Sequence, residues 1–112
     1  VWTIEHIFPE GEKVPSDWVD MIANGDKELA QEYRDKYVHK LGNLTITGFN
    51  SKLSNMSFER KKERKNEDGN FIGYKNGLGI NAEIAQKESW TIKDIIDRTD
   101  RIVSELLIRY KL

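Results

Sequence analysis

Hydrophobic positions along the chain form two short extended runs separated by a helical-period segment, and a strong helical stripe near the end. Residues 2–8 are rich in β-formers, namely Trp2, Ile4, Ile7 and Phe8, which predicts a strand. Pro9 holds Phe8 extended and lacks the amide a ladder needs, so pairing is predicted to stop there. A turn over GEKVPS leads to a short helix over DWVDMIA, with Ser16 as N-cap and Asn24-Gly25 as its stop. Leu29, Tyr33, Tyr37 and Leu41 at i+4 steps predict a second helix through KELAQEYRDKYVHK, closed by Gly42. NLTITG, residues 43–48, reads as the second strand.

A long polar helix is predicted from Asn50 or Ser51 through SNMSFERKKERKNE, ended at Asp68-Gly69. NFIGYKNGLGIN is a loop or short hairpin, and a short helix starts near Asn81. Ile92, Ile95, Ile96, Thr99, Ile102, Val103, Leu106, Leu107 and Tyr110 keep a 3.6 period, and Thr91 with Asp94 makes a capping-box start. That last helix either builds the core or docks on a neighbouring domain. The elements together predict one α+β domain.

Composition narrows the class. In 112 residues, 38% hydrophobic and 33% charged, there is material for one globular domain with a modest core. The absence of cysteine excludes disulfides and cysteine-based zinc sites and fits a reducing, cytoplasmic setting. No apolar run reaches the roughly 18 residues of a membrane span. Val1 lies inside the first extended run, which is expected of a domain cut from a longer protein. The net charge of −1 hides an uneven distribution: Lys52–Lys65 holds six basic residues and two acids, so that segment carries +4 against −5 for the remainder. Such a stripe can grip phosphates on an otherwise neutral domain, although a solvated helix face explains it as well.

Candidate chemistry gathers at the strand ends. The chain has two histidines. His39, near the end of the second helix, has a sufficient structural role against the helix dipole. His6 stands beside Glu5 where the first strand must stop pairing. Neighbours on a regular strand point to opposite faces, so Glu5 and His6 share one site only if the strand twists or breaks between them. Asn43 suits a turn and Asn50 suits a helix N-cap.

In order, however, EHIFP and LGNLTITGFNSKLSNMSFERKK resemble the His-Me finger (HNH-type, ββα-metal) nucleases. More narrowly, they resemble the C-terminal nuclease domain of GmrSD-type restriction endonucleases; Trp90, Ile95 and Arg98 in the tail are also similar to that family. The resemblance implies a ββα-metal core over residues 2–9 and 41–66. A helical insertion would occupy residues 15–40 and a helical tail residues 81–112.

It implies that His6 is the general base and that Asn43 braces the loop that orients it. Glu5 and Asn50 would be ligands of Mg²⁺ or Mn²⁺, with Asn55 the rival to Asn50. Lys52, Arg60, Lys61, Lys62 and Lys65 would contact nucleic-acid phosphates. It further implies a DNA substrate that carries modified bases, and an N-terminal nucleotide-hydrolysing domain as partner. The function so implied is a metal-dependent DNA endonuclease in a restriction or phage-defence enzyme. The alternative is a non-catalytic nucleic-acid-binding or docking module on the same scaffold.

Overall fold

The computed structural model describes residues 3–47, 55–75 and 79–110. Among these, two strands and five α-helices follow one another: β1 (Thr3–His6), α1 (Ser16–Ala23), α2 (Lys27–Tyr37), β2 (Leu44–Thr47), α3 (Phe58–Glu63), α4 (Gly79–Ala85) and α5 (Ile92–Tyr110). The strands form an antiparallel two-stranded sheet with Ile4 opposite Ile46, Glu5 opposite Thr45 and His6 opposite Leu44. One more backbone bond, from Ile7 N to Asn43 O at 2.9 Å, continues the ladder before Phe8-Pro9 ends it. The α+β class is therefore as the pattern of apolar positions implies.

The helix boundaries carry the corrections. Pro15, not Ser16, occupies the N-cap of α1, and Asn24 closes that helix in the left-handed conformation (φ 51°). The second helix ends at Tyr37 rather than at Gly42, which belongs to a separate 3-10 turn over Leu41–Asn43. Gly42 is required there for close packing instead. A Cβ at Gly42 would lie 2.1 Å from the Ile95 carbonyl oxygen on α5, so only glycine allows the turn to touch that helix. Thr99 and Arg98 of α5 secure the contact: Thr99 Oγ1 accepts from Gly42 N at 2.8 Å, and Arg98 donates to the carbonyls of Gly42 and Leu44 at 2.9 and 2.7 Å.

The long polar helix expected from residue 50 is, within the described residues, the short α3. Ser57 caps it, its hydroxyl accepting from Arg60 N at 3.3 Å. Asn55 precedes this helix in a turn, and Asn50 and Lys52 lie outside the described residues. The loop after α3 folds back on it as a short hairpin, with Lys65 bridged to Phe71 and Gly69 at φ 80° in its turn. Gly73 passes so close to α3 that a Cβ would sit 1.9 Å from the Lys61 carbonyl oxygen.

An aromatic cluster unites these pieces. Phe8 packs on Trp18, Trp18 on Phe58, and Phe58 on both Tyr74 and Trp90, with ring centroids 5.5–6.3 Å apart. Ile7, Ile84 and Ile95 complete the fully buried centre. α5 opens as a capping box, with Asp94 accepting from the Thr91 amide at 2.9 Å and from its hydroxyl at 3.0 Å. Its first turns bury Ile95, while Val103, Leu106, Leu107 and Ile108 toward its end are exposed.

Candidate nuclease active site

The strand β1 remains regular through Glu5 and His6, so the two side chains go to opposite faces. Glu5 turns inward and is 1% exposed, as is fitting only for a fully partnered carboxylate. Lys61 donates to it at 2.9 Å and the Tyr74 hydroxyl donates to its other oxygen. The Lys61 ammonium also donates to the carbonyls of His6 and Ile7 at 2.8 and 3.0 Å, so all three of its protons are used. Burial pushes the Glu5 carboxyl up and the Lys61 ammonium down, against their mutual attraction. Burial and the neighbouring Glu5 raise the Tyr74 phenol well above its ordinary 10, which keeps it a donor.

This arrangement departs from the placements the motif implied for Glu5, Lys61 and Lys62. A metal ligand must face an accessible ion, and Glu5 is buried with its two oxygens turned to Lys61 and Tyr74. A phosphate contact must reach solvent, and Lys61 is 0% exposed. Lys62 is also buried; its ammonium donates to Lys87 O at 2.8 Å, pairs with Glu59 at 3.3 Å and lies over the Phe58 ring. Charge counting along the chain could not separate these two lysines from Arg60 and Lys65, which are exposed.

His6 faces the other way and is half-buried. Its Nε2 lies 3.1 Å from His39 Nδ1, and its Nδ1 lies 3.6 Å from a Glu10 carboxylate oxygen. Burial lowers the imidazole below its ordinary 6.5; the Glu10 carboxylate raises it, and His39, Lys61 and Arg34 lower it further. The neutral ring therefore predominates at neutral pH. One donor atom from each of His6, Glu10 and His39 lies within 4.8 Å of the others, a spacing that could hold a metal ion.

The segment between the strands builds this second half of the site. His39 sits in the turn just after α2. From α2 itself, Arg34 donates to the carbonyl oxygens of Glu10 and Gly11, and Gln31 bonds Glu12 O and Val14 N. The loop that carries Glu10 is thus clamped by the same helix that delivers His39. Sequence reasoning assigned His39 a structural role and did not single out Glu10. The available signal was the short spacing of each from a motif residue: Glu10 four positions after His6, His39 four before Asn43.

Asn43 is fully buried and uses both amide groups. Its Oδ1 accepts from Phe8 N at 2.8 Å and from the Trp90 indole at 3.1 Å, while its Nδ2 donates to the carbonyls of Phe8 and Val38, each at 2.9 Å. Phe8, two residues after His6, and Val38, directly before His39, are thereby tied to one side chain.

A half-buried imidazole at a strand end, a carboxylate on a clamped loop and a buried asparagine brace lie together on an α+β scaffold. The model of the C-terminal domain of GmrSD restriction endonucleases matches residues 1–105, and the chain belongs to that family. An HNH-type reading is consistent with it. No curated protein and no solved structure matches the chain. Among the described residues no helix is long and apolar enough to cross a membrane.

Proposed function

We propose that this domain is the nuclease effector of a restriction enzyme, hydrolysing DNA phosphodiester bonds with His6 as general base on a ββα-metal core formed by β1, β2 and α3. The observation that carries the reading is the His6 imidazole: half-buried, held below its ordinary pKa and neutral at neutral pH, in a chain of this family. A neutral ring nitrogen can take a proton from the water that attacks phosphorus. Asn43 positions this ring through the backbone of Phe8 and is a positioning residue rather than a catalytic one. Arg60 and Lys65 remain as phosphate contacts, joined by Lys52 in the undescribed segment.

Glu10, an exposed carboxylate on a fixed loop beside His6, suits a divalent ion. Asn50, outside the described residues, would be the second ligand of Mg²⁺ or Mn²⁺. Such an ion, when bound, would supply Lewis-acid polarisation of the scissile phosphate. Base modifications on the DNA, and a nucleotide-hydrolysing domain on the same polypeptide, complete the proposed setting of a phage-defence enzyme.

The test is a plasmid-cleavage time course on the intact protein with Mg²⁺, Mn²⁺ or EDTA. Nicking that depends on the ion and disappears with EDTA is the expected result. Intact plasmid under every ion, together with tight DNA binding, would favour the non-catalytic binding module.

A further inference from the structure

One general base needs one imidazole, yet the site holds both histidines of the chain. Their facing nitrogens, His6 Nε2 and His39 Nδ1, stand 3.1 Å apart. That gap accommodates a shared proton. It also accommodates a cation: two nitrogens bound to one tetrahedral ion at the usual zinc–imidazole distance stand roughly 3.3 Å apart. Glu10 brings an oxygen donor to the same ring, 3.6 Å from His6 Nδ1, and one donor atom from each of the three residues lies within 4.8 Å of the others. The cluster is open to solvent through exposed Glu10 and His39, so an ion has an entry path. The three ligands come from β1, the loop after it and the turn after α2, and Arg34 fixes that loop through its carbonyls.

We propose that His6, Glu10 and His39 form a site for a borderline transition ion, with Zn²⁺ as the type, and that its occupation silences the nuclease. The silencing rests on the reading of His6 as general base. An ion bound to the His6 ring nitrogen takes the lone pair that would accept the water proton. Mg²⁺ shares only the Glu10 carboxylate with this site and does not compete for the imidazoles, because it prefers oxygen donors and near-octahedral hydration. The same cluster therefore separates ions that support cutting from ions that stop it.

The experiment titrates Zn²⁺ by calorimetry into the intact protein and its His39→Gln and Glu10→Gln variants, with circular dichroism as the folding control. One ion per chain is expected, with affinity weakened on the order of 100-fold in His39→Gln. In parallel, Zn²⁺ is added to cleavage reactions supported by Mn²⁺, each protein referenced to its own zinc-free rate. The inhibition midpoint should track the binding constant and shift by the same factor in His39→Gln. Absence of binding, or equal binding by wild type and His39→Gln, overturns the site. A zinc-loaded protein that still cuts overturns the silencing. If Mg²⁺ and Mn²⁺ support no cutting before zinc is added, the nuclease reading is what fails, and calorimetry alone then decides the site.

Discussion

Glu5 and His6 are adjacent on one strand and live in opposite environments. Glu5 enters a buried pocket where Lys61 and Tyr74 hold both its oxygens; His6 enters a half-open one beside His39 and Glu10. The strand's alternation makes that division, and it assigns the two residues different work. The inward carboxylate ties β1 to α3 and to the loop carrying Tyr74, whereas the outward imidazole is the base of the proposed reaction. Lys61 links the two faces, since it also holds the carbonyls of His6 and Ile7. Rigidity on one face thus supports precision on the other.

The comparison breaks most visibly at His6. His6→Ala should lower cleavage on the order of 10² to 10⁴-fold with the melting temperature little changed, as measured by plasmid nicking and calorimetry.

On the buried face the effect is on stability. Glu5→Ala leaves the Lys61 ammonium buried without its counter-charge and should cost about 3–5 kcal/mol in denaturant unfolding. The paired replacement Glu5→Gln with Lys61→Met should recover a large part of this loss. If the double variant is as unstable as Glu5→Ala, the ion pair is not the reason for the cost.

Asn43→Ala would strand the Trp90 indole, the Phe8 amide and two carbonyls, at a cost of about 3 kcal/mol.

The smallest effect belongs to the start of α5. Burial raises the Asp94 carboxyl, but its bonds from Thr91 and Lys87 outweigh that and hold it below its ordinary 3.8. A depressed folded-state value means stabilisation that is present above pH 3.8 and lost as pH falls through the folded value. Asp94→Asn should therefore cost about 1 kcal/mol at pH 7, and the gap to wild type should close in acid.

Much of this fold was legible because local chemistry decided it. β-formers ahead of Pro9, the Thr91–Asp94 box and the isoleucine stripe of α5 each specify their element without long-range help. The short α3 was not legible, because a run of polar helix-formers from residue 50 carries no mark of where tertiary contacts let the helix begin; Ser57 supplies that start. Nor could sequence show Gly42 as a contact point, since the Ile95 carbonyl that demands it is 53 positions away. In the site, the motif order singled out His6 and Asn43. The fates of Glu5 and Lys61 depended on Tyr74, a residue in no motif, and the convergence of His39 on His6 depended on where α2 ends.

The most direct test compares the two neighbours on β1. Cleavage rate per folded molecule is measured for His6→Ala and Glu5→Gln, at a temperature where both are folded. A folded, inactive His6→Ala beside a Glu5→Gln that is less stable yet cuts at close to the wild-type rate is the predicted result. A folded but inactive Glu5→Gln, with His6→Ala still cutting, would contradict it.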